Sequence, residues 1–170
     1  MTVAEKLVEA TNGDGQLVDI HATYLGSLNL IERLHRRLLD VIKDEFDRRS
    51  RADITPIQAL LLFNIGEREV TVTELCARGY YLGSNVSHNL KKLIELGFID
   101  RRRSRTDLRS VRLSLTESGQ EVHDIIARLY EKHVRTVEPI GGISADGFSR
   151  LNHALHRLER FWTDQILYQL

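Results

Sequence analysis

Thr106–Gly119, TDLRSVRLSLTESG, passes from a turn through a strand to a helix start. Val111, Leu113 and Leu115 alternate with Ser110, Arg112 and Ser114, the period of a strand with one face on a core and the other towards water or phosphate. The preceding FIDRRRSR supplies a partner strand, with a tight turn around Arg105–Leu108 joining the two. Thr116 is placed to cap the next helix, and Gly119 allows that helix to pass close to a neighbouring segment.

Upstream, GSNVSHNLKKLIELG predicts a helix that buries Val86, Leu90, Leu93 and Ile94 and stops at Gly97. Its other face carries Ser84, Asn85, Ser87, His88 and Lys91. Before it, VTVTELCARG predicts a very short helix, with Thr71 and Glu74 at capping-box spacing and Gly79 closing it; Val70–Val72 is long enough only for a bridging strand. TPIQALLLFNIG gives a central buried helix, with Thr55 as N-cap, Pro56 at the first position, Gln58 reaching back and Gly66 as the stop.

Longer elements flank this middle. From Tyr24 to about Ser50, apolar residues recur at helical spacing from Leu25 to Phe46. After the strands, Val122, Ile125, Ile126, Leu129 and Val137 mark one helix, with a break expected at EPIGGISADG, and Phe148 to Leu170 mark another. Apolar residues continuing to Leu170 predict an interface. At the start, VAEKLVEA reads as a short helical piece and TNGDGQ as a turn. The expected organisation is an N-terminal arm (1–22), a dimerisation helix (23–53), a winged helix-turn-helix lobe (54–116) and C-terminal dimerisation helices (117–170). The fold class is mainly α with a small β-hairpin wing.

Composition agrees with a globular chain: 170 residues, 42% hydrophobic, 28% charged, net charge zero. That zero conceals an asymmetry. His88–Arg112 carries Lys91, Lys92, Arg101, Arg102, Arg103, Arg105, Arg109 and Arg112 against Glu95, Asp100 and Asp107, net +5, and the remainder is −5. Concentrated positive charge suits a phosphate backbone, where each neutralised phosphate releases counterions. The polar residues Ser84, Asn85, Ser87 and His88 suit base edges in a major groove, and Lys91 suits phosphate. Arg105 and Arg109, at the turn, suit a narrow minor groove. The expected partners are double-stranded DNA and a second copy of the chain.

DLRSVRLSLTESG, with Asp107, Arg109, Leu115, Thr116 and Gly119, resembles the wing signature of the multiple antibiotic resistance regulator (MarR) family. TVTELC and NLKKLIELGFIDRRR occupy the positions of that family's reading helices, and the resemblance runs from Tyr24 to Leu170. It implies a homodimeric bacterial transcription factor, usually a repressor, whose terminal helices form a platform and whose small-molecule effector binds between platform and winged lobes. GYYLG and Gly83 depart from the usual entry to the second reading helix. Asp107 can hold the Arg109 guanidinium by a charge-assisted pair and aim it outwards. Leu38, Leu60 and Phe63 are expected to wall an effector pocket where the first, second and fifth helices meet.

Other chemistries have less behind them. Cys76 lacks a pairing cysteine, and His153 with His156 lacks a third ligand of evident spacing, so neither a disulfide framework nor a metal site is expected. His21, His35, His123 and His133 could gather around a pocket. No Walker loop, nucleophile elbow or HExxH motif is present, and no cofactor is expected. Without a long apolar run, a cytoplasmic protein with no membrane partner is expected. A winged-helix adaptor for proteins and, further off, a DNA-processing enzyme are the alternatives.

Overall fold

The computed structural model describes residues 10–11, 17–77, 83–103 and 111–168, with side chains described throughout except at 10–11, 17–18, 77, 83–85 and 103. The chain forms two compact units, Met1–Gln58 and Ala59–Leu170.

In the first unit, β1 (Ala10–Thr11) pairs antiparallel with β2 (Leu17–Val18), Ala10 opposite Val18 and Thr11 opposite Leu17. Ala10 therefore stands in a strand, not in the helical piece expected there; a short isolated helix is costly to nucleate, whereas a strand gains its partner in β2. The rest of VAEKLVEA and the Asn12–Gly15 turn lie outside the described residues. Helix α1 spans Ile20–Arg48, four residues earlier than the apolar spacing indicated. Asp19 sets that start: its carboxylate accepts from the His21 amide at 2.9 Å. Ile42 and Phe46 are buried, whereas Ile20, Leu25, Leu30 and Leu34 are exposed.

Helix α2 (Pro56–Ile65) begins across the boundary between the units and has the expected capping box: Thr55 N–H donates to Gln58 Oε1 at 3.0 Å and Gln58 N–H to Thr55 Oγ1 at 3.3 Å. Gly66 ends it with φ 69°. In the second unit Leu61, Leu62 and Ile65 join Leu75, Val86, Leu93, Leu113, Val122 and Ile126 as the buried core.

The sheet has three strands in the order β3–β5–β4, with β3 at Val70–Thr71, β4 at Ile99–Arg103 and β5 at Val111–Leu115. The bridging strand thus makes β5 central. Leu113 is fully buried, but Val111, beside a groove, and Leu115 are only half-buried, as are Arg112 and Ser114, so the clean alternation in sequence is softened. Helix α3 (Val72–Ala77) follows β3, and α4 (Gly83–Glu95) follows α3. Thr71 and Glu74 cap α3 reciprocally, the Thr71 amide donating to Glu74 Oε2 at 2.7 Å and the Glu74 amide to Thr71 Oγ1 at 3.1 Å.

Helix α5 runs from Glu117 through Pro139 to Gly141, and the break before the next helix falls at residues 142–144, inside the expected EPIGGISADG stretch. A proline removes only its own amide from the ladder and is here within a turn of the end; the stop comes from Gly142, left-handed at φ 68°, whose amide donates to Glu138 O. Helix α6 (Ala145–Tyr168) buries none of its residues, and Phe161, Ile166, Leu167 and Tyr168 are exposed.

Candidate nucleic-acid interface

The β5–α5 junction fixes the wing strands to the core. Thr116 N–H donates to Phe98 O at 3.1 Å and Thr116 Oγ1 donates to Gly97 O at 2.7 Å, while the same hydroxyl accepts from Gly119 N–H at 3.1 Å. One side chain caps α5 and ties it to the segment leading into β4. Gly119 lies so close to that segment that a Cβ would stand 2.1 Å from Phe98 O. Gly97, at φ 78°, turns the chain out of α4, and Phe98 N–H returns to Leu93 O at 2.9 Å.

On α4, Val86, Leu90 and Leu93 are buried and Ile94 half-buried, and Ser87, His88, Lys91 and Lys92 are exposed. Backbone position puts Ser84 and Asn85 in the first turn of α4, but their side chains lie outside the described residues. Arg105, Asp107 and Arg109, with Gly79, Tyr80 and Tyr81, also lie outside them. Thus Ser87, His88 and Lys91 are the expected contacts that the structure brings together on one helix. Lys91 Nζ stands 3.9 Å from Glu95 Oε1, a loose exposed pair that holds its cation weakly.

Between α4 and the sheet runs a groove of about 450 Å³, floored by Val72, Leu90, Ile94, Val111 and Leu113, with Lys91, Glu95 and Arg101 at its rim. Arg101 belongs here because it lies opposite Leu113 on the face of the sheet turned to α4. Sequence reasoning left this groove out, since it exists only once α4 and the sheet are packed.

A second depression, about 400 Å³, is lined by Phe63 of α2 and by Ala127, Tyr130, Glu131, Val134 and Arg135 of α5. Phe63 stacks on His123 (centroids 5.2 Å apart, 19°) and meets Tyr130 edge-on (5.1 Å, 84°). Tyr130 lies 6.5 Å from the ring of His133, and burial pushes its phenol up from its ordinary pKa. His123 Nδ1 and Gln120 Nε2 approach Asp124 Oδ1 at 3.0 and 2.9 Å; the His123 hydrogen bond first, then that of Gln120, holds the Asp124 carboxyl below the usual range.

Of the three expected wall residues, Phe63 lines this depression; Leu60 is only 8% exposed, and Leu38 is half-buried on α1 in the other unit. Tyr130 and Arg135 were missed, although Tyr130 sits four residues from Ile126 on the apolar stripe of α5. His123 and His133 do meet this aromatic group, whereas His21 and His35 belong to the first unit. His153 is exposed on α6, and His156 faces Glu159 at 3.3 Å. No metal-binding cluster occurs among the described residues. Cys76 is half-buried in α3, and no helix among the described residues is long and apolar enough to cross a membrane.

A model of the MarR family matches residues 52–110. The chain is 34% identical over 161 residues to the exopolysaccharide II synthesis transcriptional activator ExpG of Rhizobium meliloti (strain 1021), covering 95% of this chain and 80% of that protein. Among solved structures it resembles FabT of Streptococcus pneumoniae in complex with DNA (24% identity, TM-score 0.61, 83% of this chain and 98% of that one). It also resembles the transcriptional regulator SlyA (22%, 0.68, 84% and 98%). A mutant MarR from E. coli complexed with operator DNA is a third (20%, 0.62, 83% and 99%). At these identities the solved structures establish the winged-helix fold.

Proposed function

This chain belongs to the MarR family of transcriptional regulators, and from that premise we propose that it binds a pseudo-palindromic duplex operator as a homodimer and leaves it when a small molecule binds. The family consists of regulators and not enzymes. The observation that carries the reading is the face of α4, where Ser87, His88 and Lys91 are exposed opposite the buried Val86, Leu90 and Leu93. Ser84 and Asn85 extend that row, and Arg105 and Arg109, oriented by Asp107, supply the wing contact.

We assign residues 1–22 to an arm, 23–53 and 117–170 to dimerisation and 54–116 to DNA binding. Support for self-association comes from the exposed apolar residues of α6 and of the first half of α1, among them Ile166 at 78% and Leu34 at 63% exposure. A twofold dimer would set two α4 helices about 34–36 Å apart, in successive major grooves. For the effector we take the depression beside Phe63, with Leu38 and Leu60 as further candidates. A ligand bound better by the dimer with mis-spaced α4 helices shifts the population away from DNA in proportion to that difference.

We take the action to be repression, by a dimer lying over a promoter. Reporter transcription that rises when this protein occupies its site would reverse that sign, the direction carried in the name of the Rhizobium relative. Selection of bound fragments from random duplex DNA tests the main reading. A palindromic site with half-sites about one helical turn apart is the expected product. Failure to enrich any sequence would leave the adaptor reading.

A further inference from the structure

Three consecutive arginines, Arg101–Arg103, form most of β4, and the ladder divides the first two between opposite faces of the sheet. Arg101 lies opposite Leu113 on the face turned to α4. Arg102 lies opposite Arg112 on the other face, one rung inside the end of the described ladder. Directly opposed residues of an antiparallel pair have Cβ atoms roughly 5 Å apart, and like charges in that position destabilise the sheet. Arg112 is moreover in the central strand and half-buried, so part of its stem lies along the sheet.

The neighbouring acids relieve this only in part. Asp100, two residues before Arg102 on the same face, reaches it at 3.9 Å, a distance too long for a hydrogen bond. Thr71 is the next residue in the row, opposite Arg112 on β3, and the carboxylate of Glu74 beside it accepts from the Thr71 amide and hydroxyl at 2.7 and 2.9 Å. Among the described residues the Arg112 side chain has no ion-pair or hydrogen-bond partner. Two arginines rooted on directly opposed residues of one sheet face can bring their guanidiniums to a single shared oxyanion.

We propose that Arg102 and Arg112 together grip one backbone phosphate of the bound duplex, outside the base-reading row of α4. The proposal rests on the DNA-binding reading above. The pair lies one rung from the end of the described ladder, in the stretch of concentrated positive charge that suits a phosphate backbone. The contact is blind to sequence and strengthens every site alike.

The test compares full-length wild type with Arg102→Gln, Arg112→Gln and the double variant on the selected operator, with Lys132→Gln on α5 as a charge-matched control. Each single variant is expected to weaken binding about tenfold on all operator sequences and to lower the slope of log affinity against log salt by about 0.9, the contribution of one phosphate. Because one phosphate is shared, the double variant lowers the slope no further. The Lys132→Gln control leaves it unchanged. Arg102, with a side chain 72% exposed, is replaceable without disturbing the fold, so its variant remains informative if Arg112→Gln misfolds.

An unchanged slope in Arg102→Gln with tight binding retained would overturn the proposal, and is the result expected if the pair serves an acidic protein surface instead. A slope that falls by twice as much in the double variant would refute the shared phosphate. Wild-type protein that binds no duplex would sink the DNA-binding reading itself, a failure recognisable before any variant is made.

Discussion

Gly119→Ala sets two effects of known sign against each other. Alanine is favoured over glycine in a helix by about 1 kcal/mol, so in the open first turn of α5 the substitution would stabilise. At Gly119 the added Cβ would stand 2.1 Å from the carbonyl oxygen of Phe98, 0.9 Å inside the 3.0 Å that such contacts essentially never breach. The obstacle is backbone and cannot rotate away. Phe98 O also accepts from Thr116 N–H, and Phe98 N–H donates to Leu93 O, so retreat strains bonds on both sides. Overpacking of this kind costs about 1–3 kcal/mol and occasionally more. With a rigid opponent on one side and the Thr116 cap on the other, we place the cost at the upper end, about 2–3 kcal/mol, and expect a net loss of about 1–2 kcal/mol after the propensity gain. For a chain of this size that lowers Tm by about 2–8 °C. The assay is thermal and urea unfolding at one fixed protomer concentration, since any self-association makes Tm concentration-dependent. A Tm equal to or above wild type would refute the argument, because it would mean that α5 and the Phe98 segment are not held at the observed separation.

Gly26→Ala, in a stretch of α1 where nothing lies within 4 Å of the added Cβ, is expected to gain about 0.5–1 kcal/mol by the same unfolding assay; a loss accompanied by dissociation in sedimentation would put Gly26 inside the dimer contact. Thr116→Val removes the cap on Gly119 and the bond to Gly97 O and should cost about 1–2 kcal/mol, read as a lower urea midpoint with m unchanged. Asp53 accepts two hydrogen bonds from Arg51, at 2.8 and 3.0 Å, and is held below the usual carboxylate range chiefly by them. Its folded pKa is depressed, so its contribution to stability is present above the ordinary value of 3.8 and disappears as pH falls through the depressed one; Asp53→Asn should flatten that acid limb in urea titrations between about pH 5 and pH 2. Deleting the chain from Ser144 onwards should abolish the dimer in sedimentation, and a soluble intact dimer would remove α6 from the interface.

What was legible in sequence was local. The Thr55–Gln58 and Thr71–Glu74 boxes close within three residues, so residue type and spacing alone specify both partners. Thr116 and Gly119 were legible for the same reason, although the second partner of Thr116, Gly97 O, comes from another element. The stop of α5 was legible as a stretch and not as a residue, because Pro139 and Gly142 both signal an end and only the left-handed glycine enforces it. The aromatic group around Phe63 was out of reach: its members lie sixty and more residues apart, and nothing in the spacing of α2 predicts which turn of α5 it meets. Arg102 and Arg112 were visible only as part of a charge count, since their opposition depends on strand register, which residue type alone does not fix.

On the effector reading proposed above, the junction that crowds Gly119 would give the second unit a mechanical route from effector to DNA. Helix α5 carries Ala127, Tyr130, Glu131, Val134 and Arg135 on the depression beside Phe63, and its first turn is tied through Thr116 to Gly97 and Phe98, between α4 and β4. Along an uninterrupted helix Tyr130 is about 17 Å from Gly119 at 1.5 Å per residue, so a tilt imposed at one end arrives at the other as displacement rather than being absorbed by a loop. A ligand that wedged Phe63 away from Tyr130 would therefore act on both the reading helix and the wing strands through two hydrogen bonds to one hydroxyl. If that is the route, Thr116→Val should uncouple release from binding: the effector would still bind with near-normal affinity, but the ratio of operator affinities with and without it would fall towards one. An unchanged ratio in that variant would mean that the coupling travels instead through the packed core of Leu61, Leu62 and Ile126.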